Sequence, residues 1–439
     1  MPTVAVPKPL VAKERDYSVT TIKKLLARRF LLLTLGEAAS LLGDQLTRIA
    51  LVWLILELTE SAMALGIWLS LSALPRVMFL LVGGALADRF SPRSVMITSN
   101  AIRAALLAIL AIAAAANALT FFWLCVFTVV FGAAAGLYTP SLPAILPRIV
   151  PTALLQIGNS VVQAIMHLSN LVGPPFAALI LASLLAGENA VPASSSGQQG
   201  YALLFAIDAA SFLISLWTLH SIGGLPQREK GRQPGTMLAH ILKGARYATN
   251  SSHLRVLLFV TVIANFGIGG PLAVAMPLLA KFALPQGVIA LGLLSAAGAT
   301  GSLAGLGVAA LLRQQETRKM FLMPFVFLPA LGLLMVSLGW AGSLERAALT
   351  LAVMTALAVY IDIQMLTWLQ QVTAPEYLGR VISVVQLCAF GTLPVSMAIA
   401  GFLGTDLMLI FASFGITVIA ATLLAGLSAR KTLRQAHAT

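Results

Sequence analysis

Long apolar runs, each broken by a few polar or turn-forming residues, follow one another along almost the whole chain. Crossing a bilayer core of about 30 Å takes about 20 helical residues, and the runs have that length. They predict about twelve transmembrane helices. The first six are expected at 30–57, 62–87, 94–116, 119–138, 154–186 and 201–222, and the next six at 253–280, 286–312, 320–342, 347–371, 377–403 and 406–428. Breaks fall at "TESA", "ANALT", "ALPQG" and "LGTD", where Gly, Pro and polar residues interrupt the pattern. The polar stretch "GGLPQREKGRQPG" (223–235) divides the spans six from six. The predicted fold class is therefore an all-α polytopic membrane protein made of two six-helix bundles. Its expected parts are a cytoplasmic tail (1–29), an N-terminal bundle (30–222), a cytoplasmic linker (223–252), a C-terminal bundle (253–428) and a second tail (429–439).

Composition agrees with a membrane chain: 59% of the 439 residues are hydrophobic and 10% charged, with a mean hydropathy of +0.93. The net charge of +13 has a topological explanation. With both termini in the cytoplasm, only Lys281 and Arg346 of the 28 Lys and Arg fall in external loops and only Arg48, Arg76 and Arg103 within spans. The positive-inside bias thus fixes the expected orientation and removes any need for a nucleic-acid partner. Residues 1–29 lack the short apolar core and small-residue cleavage site of a secretory signal, so they are expected to remain as a tail. Cys125 and Cys388 lie in separate spans without metal-ligand spacing and are read as packing residues.

The two halves resemble each other. "SVVQ" occurs at 160–163 and again at 383–386, and near the same offset "ADRFSPRSVM" (87–96) faces "LLRQQETRKM" (311–320). Duplicated six-helix halves are a transporter architecture, with the substrate site between them near the midplane. Between the second and third spans, "GGALADRFSPR" (83–93) resembles the loop signature of the major facilitator superfamily. The resemblance implies a conformational latch made by Gly84, Asp88, Arg89 and Arg93, which in the family favours the outward-facing state. More narrowly, "LLGDQLTRIALVWLILELTESAMALG" and "LPAILPRIVPTALLQIGNS" resemble the drug:proton antiporter-3 branch, the relatives of macrolide and enterobactin exporters.

The chain departs from that family pattern in three places. In "SNLVGPPFAA" (169–178) only Gly173 and Pro174 match the Gly-rich stretch of superfamily antiporters, and the Gly-Pro can equally serve as a plain helix bend. The fourth span lacks the buried Arg that many proton-coupled exporters carry. In the second-half loop the position matching Asp88 is Leu312, which implies a one-sided latch.

A charge at the centre of a membrane helix costs about 2.5–3.5 kcal/mol on insertion scales, so the three charges of the first span should face protein. Glu37, Asp44 and Arg48 share a stripe about 40° wide, and the four-residue spacing permits an Asp44–Arg48 bridge. Depth along the helices makes Glu37 and Arg76 plausible partners and sets Asp362 level with Arg103. These groups are candidates for proton coupling, led by Asp44 and Glu37, with Arg48 beside them; the competing reading is structural ion pairing. His167, in the middle of the fifth span, is a candidate proton relay or a hydrogen-bonded packing residue. Arg76, Asn265, Tyr360, Gln364, Thr367 and Gln386 are candidates for the substrate cavity, as sparse polar groups among Phe, Met and Trp. "NFGIGGPLAVAMP" (265–277) should weaken regular helix, and Gly298, Gly301, Gly305 and Gly307 should let the eighth span pack closely.

The expected function is secondary active export of amphipathic, drug-like or siderophore-like small molecules by alternating access, with proton antiport. No Gly-rich phosphate loop ending in Gly-Lys-Ser/Thr is present, so energy must come from a gradient. A lysophospholipid flippase or uncoupled facilitator of the same fold is the alternative. A membrane-embedded enzyme is a remote one, because the His residues other than His167 lie near cytoplasmic segments and no catalytic cluster forms. No cofactor or metal is expected. The expected partners are the small-molecule substrate, protons and the lipid bilayer of the cell membrane, with the chain acting as a monomer.

Overall fold

The computed structural model describes residues 28–89, 91–151, 154–188, 198–224, 237–312 and 316–436. Twelve stretches are long and apolar enough to cross a membrane. In the first half they are α1 (Arg28–Thr59), α2 (Ala62–Arg89), α3 (Pro92–Ala115), α4 (Phe121–Tyr138) with its continuation α5 (Ser141–Ile149), α6 (Leu155–Glu188) and α7 (Gln199–Ser221). An amphipathic helix, α8 (Met237–Asn250), precedes the second half. There, α9 (Ser252–Ala264) and α10 (Gly270–Phe282) form one span, followed by α11 (Val288–Leu311), α12 (Thr317–Leu338), α13 (Leu344–Val372), α14 (Pro375–Phe402) and α15 (Leu407–Ala436).

The breaks have local causes. Glu60 in "TESA" and Asn117 in "ANALT" adopt positive φ, as does Gly404 in "LGTD", which ends each helix in the left-handed region. Ser91, Thr120, Ser251 and Ser343 then accept a backbone N–H at the start of the following helices. Two expectations meet the structure differently. The residues expected as a cytoplasmic linker contain the helix α8. The seventh span is one path through the membrane but is interrupted by a π-helical turn at Asn265–Gly269, inside the Gly-rich stretch. Tails 1–27 and 437–439 and the polar part of the linker, 225–236, lie outside the described residues.

The repeat seen in the sequence has a structural counterpart. Ser160 donates to the Gln156 carbonyl at 2.9 Å and Ser383 donates to the Gly379 carbonyl at 2.9 Å, so both copies of "SVVQ" sit on helix with the same local bond. Contacts between the halves are paired in the same way, α2 against α14 and α6 against α11. At α2/α14 a Cβ added to Gly66 would lie 2.8 Å from Gly401 Cα, and the Ser70 hydroxyl donates to the Pro394 carbonyl at 2.6 Å. At α6/α11 a Cβ on Gly292 would lie 2.6 Å from Ala178 Cβ and 2.9 Å from the Pro174 carbonyl oxygen.

All these contacts lie at the end of the molecule away from the linker. The stripe of α1 that carries Leu35, Leu42, Leu46 and Trp53 shows the consequence. Leu35 is 54% exposed at the linker end, whereas Trp53 is 7% exposed at the far end. There, Gly287 of the second half meets the Trp53 ring and the Lys281 ammonium donates to the Leu56 carbonyl at 2.6 Å. The halves therefore touch at the far end, and the gap between them opens at the linker end.

Candidate functional site

Three carboxylates and one guanidinium meet inside the first half. Gly36 and Gly43 let α1 lie against α7: a Cβ on Gly43 would stand 2.9 Å from Ser211 Cβ, and one on Gly36 would stand 3.2 Å from Ser215 Cα. This close approach puts Asp208 of α7 beside α1. Asp208 is fully buried and accepts bonds from Thr47 at 2.6 Å and Ser211 at 3.0 Å. On the next side of α1, Glu37 is buried and accepts a bond from the Tyr138 hydroxyl at the end of α4.

Asp44 lies between them and pairs with Arg103 of α3 at 3.8 Å. The Arg103 side chain is 6% exposed and that of Asp44 33%, so of this pair the carboxylate is the partner open to the gap. Arg103 also donates to Asn100, whose amide in turn donates to Ser215 at 2.9 Å. Its guanidinium lies over the rings of Phe212 (4.3 Å) and Tyr138 (4.6 Å), a placement that offsets part of its desolvation through the ring quadrupoles. Its Nε has no hydrogen-bond partner among the described residues.

Two more cations border the cluster. Arg48 is exposed and donates to Gln45, and Gln45 donates to Asn170 of α6 at 2.9 Å. Arg76 of α2 is exposed and interacts electrostatically with Asp44, Arg48 and Arg103. The stripe read from the sequence is thus real but graded: Glu37 is enclosed, Asp44 is partly open and Arg48 is exposed.

The expected partners change. Glu37 bonds to Tyr138 rather than to Arg76; Arg103 pairs with Asp44 rather than Asp362; and Arg48 bonds Gln45 instead of bridging to Asp44. Depth along the axis fixed the level of each group, but the rotation of each helix decided its neighbour. Thr47, Asn100, Tyr138 and Asp208 complete the cluster, and sequence reasoning placed none of the four in it. The run "SNAIR" (99–103), polar within an apolar span, was the signal available for Asn100.

The other candidates are dispersed. His167 is half-buried on α6 and makes no hydrogen bond among the described residues. Gly173 makes room for the Gln45 side chain, while the Pro174 carbonyl meets Gly292 across the halves; this stretch forms a contact surface within a continuous helix. In the second half, Asn265 donates to Thr261 at 3.0 Å within the π-helical turn, and Tyr360 is buried with its ring edge-on to Phe327. Gln364 is buried, Thr367 donates to the Ile363 carbonyl at 2.8 Å, and Gln386 is exposed. Of the latch residues, Gly84, Asp88 and Arg89 lie on the last turns of α2, with side chains outside the described residues. Arg93, at the start of α3, donates to the Leu219 and His220 carbonyls at 2.7 and 3.1 Å and so closes the end of α7. Among the described residues no group of three or more His, Cys, Asp and Glu could hold a metal ion.

Twelve candidate spans in two paired bundles, with a cluster of acidic and basic side chains bordering the gap between them, define a membrane transporter rather than an enzyme. The sequence profile of the Major Facilitator Superfamily matches residues 33–398, and the chain belongs to that family. It is 28% identical to the multidrug efflux pump Tap of Mycolicibacterium fortuitum over 82% of this chain and 85% of that protein. It is also 29% identical to macrolide efflux protein A of Streptococcus pyogenes over 152 residues, a match spanning 35% of this chain and 38% of the macrolide protein. Among solved structures, a bacterial homologue of the iron transporter ferroportin in an inward-facing state superposes with a TM-score of 0.69 at 16% identity, covering 92% of this chain and 98% of that one. An inward-facing, unoccupied bacterial homologue of the human lysosomal transporter Spinster gives 0.65 at 16% identity, covering 93% and 98%. These likenesses concern the fold.

Proposed function

We propose that this transporter exports amphipathic small molecules, drug-like or siderophore-like, across the cell membrane by alternating access coupled to proton antiport. The observation that carries the reading is the Asp44–Arg103 pair, in which a one-third-exposed carboxylate at the edge of the gap is held by a buried cation. With the linker and both termini in the cytoplasm, a gap opening at the linker end is an inward-facing cavity, and Asp44 exchanges protons with that side. Protonation removes the charge that Arg103 holds; rocking of the halves then closes the linker end and gives Asp44 access to the other side. Arg76, Asn265, Tyr360, Gln364, Thr367 and Gln386 serve as polar contacts for the solute, and the Met and Phe around them supply adaptable apolar surface.

The efflux names of Tap and macrolide efflux protein A support the direction of transport. Helix α4 carries no basic residue, which favours the second reading, an uncoupled facilitator or lysophospholipid flippase. Against it, Arg103 brings a guanidinium within 4.6 Å of the Tyr138 ring of α4, so the cation missing from that helix comes from its neighbour.

The test is efflux of a panel of dyes and antibiotics from cells and proteoliposomes, with and without a proton gradient, for the natural chain and for Asp44→Asn. Gradient-driven efflux should be lost in Asp44→Asn while substrate binding and membrane level persist. Efflux that ignores the gradient in the natural chain would favour the uncoupled reading. Full pH-dependent efflux in both Asp44→Asn and Glu37→Gln would make these charges structural.

A further inference from the structure

The segment from Met237 to Arg255 carries Lys243, Arg246 and Arg255 and no acidic residue. Its helix α8 packs on the start of α14. The Tyr247 and Tyr377 rings stack with centroids 4.4 Å apart and planes 9° apart, and the Arg380 guanidinium lies 5.5 Å from the Tyr377 centroid. A Cβ added to Gly244 would come within 2.6 Å of the Arg380 carbonyl oxygen, so only glycine permits this approach.

Beneath α8 lies a cavity of about 320 Å³ lined by Tyr247, Ser251, His253, Thr317, Phe321 and Trp368, among others. Its aromatic wall is continuous: the His253 ring lies 5.4 Å from Phe321, and Phe321 lies 5.3 Å from Trp368. The wall is formed where α9 and α12 begin and α13 ends, which is the headgroup plane of the leaflet at the linker end. Arg246 and Arg255, both exposed, bracket the Tyr247–Leu254 part of that wall in the chain. The helices around it, α8 on α14 and α12 on α13 and α15, belong to the second half, so the cavity is separate from the gap between the halves.

An aromatic wall at headgroup depth, with exposed arginines next to its residues in the chain and Arg255 donating to Ser252 at 3.2 Å beside the lining Ser251, fits one ligand chemistry. The rings suit the glycerol and first acyl carbons of a lipid, and the guanidiniums suit a phosphate with net negative charge. We infer that this cavity binds an anionic phospholipid of the linker-side leaflet, which pins α8 against the second half.

The full chain, placed in phosphatidylcholine vesicles with a minority of brominated phosphatidylglycerol or brominated phosphatidylcholine, tests the inference through tryptophan quenching. Subtracting the signal of Trp368→Phe isolates the tryptophan in the cavity wall. Two arginines at the headgroup plane should give a preference for brominated phosphatidylglycerol of about thirtyfold, and the double variant Arg246→Gln/Arg255→Gln should abolish it. Equal quenching by the two lipids, or a preference that survives the double variant, overturns the site. If the double variant does not fold, the single variants decide: each should lower the preference severalfold, and an unchanged preference in both overturns the inference. Transport is not measured, so the outcome is independent of the proposed substrate and coupling.

Discussion

Arg103 is enclosed by one carboxylate, one amide and two aromatic faces, which explains how a cation persists in the middle of an apolar span. Removing it leaves Asp44 without its counter-charge. Breaking a buried ion pair from one side costs about 3–5 kcal/mol. Because Asp44 is partly exposed, Arg103→Ala should fall toward the lower end, and a clear drop in melting temperature in detergent would check it. Arg103→Lys keeps the charge but loses the planar fit to the rings and to Asn100, so it should fold better than the alanine variant and still transport poorly. Glu37→Gln retains an acceptor for Tyr138 and should fold like the natural chain, which makes its transport profile a clean reading of whether that carboxylate titrates. The sequence marked Glu37, Asp44 and Arg48 because charge in an apolar run is conspicuous. It could not mark Tyr138 or Thr47, whose residue types are ordinary in membrane helices.

Single helices separate positions that look alike in the sequence. In α11 the four glycines of "GATGSLAGLG" have different surroundings. A Cβ on Gly301 would collide with Ala352 and Thr355 of α13, and one on Gly305 would lie 3.0 Å from Ala356 Cα, whereas Gly307 has nothing within 4 Å. Gly301→Val should therefore destabilise by about 1–3 kcal/mol through overpacking, while Gly307→Val should stay within about 0.5 kcal/mol of the natural chain. Equal melting temperatures for the two variants would contradict this packing. The π-helical turn at Asn265–Gly269 holds one residue more than regular helix and aims Gly270 at Ser396, where an added Cβ would find no room. Deleting Phe266 should restore regular helix and leave α10 in phase with α14, so it should lower efflux more than it lowers folding, as measured by transport per folded molecule.

At the scale of the molecule, the far-end contacts are the structural form of one transport state. Gly66 and Gly401 allow α2 and α14 to touch, so Gly66→Leu should wedge the halves apart there. The expected result is increased labelling of a cysteine placed at Ser70 and decreased labelling of one placed at Leu35; unchanged labelling at both would contradict a closed far end. Asp88→Asn, in the loop that resembles the family latch, should shift the same two labels and reduce transport while the protein remains in the membrane. A cysteine at Gln233 should resist an impermeant external reagent in intact cells, because the segment around it carries Arg228, Lys230 and Arg232. Labelling there would reverse the proposed orientation.

The spans, their breaks and the family were legible in the chain because bilayer thickness and the energetic penalty on unpaired backbone groups in lipid act locally, on each run of about 20 residues. The predicted span at 154–186, for example, is the helix Leu155–Glu188. Partners were not legible. A sequence gives the depth of Arg103 and Asp362 along their helices, yet which carboxylate meets the guanidinium depends on how helices rotate when Gly36 and Gly43 draw α1 onto α7. The closure of the far end has the same character. Gly66 and Gly401 are far apart in the chain, and each reads as an ordinary glycine in an apolar helix. Only packing across the two halves, decided by backbone approach at α2/α14 and α6/α11, sets on which side the gap opens and leaves Asp44 at its edge.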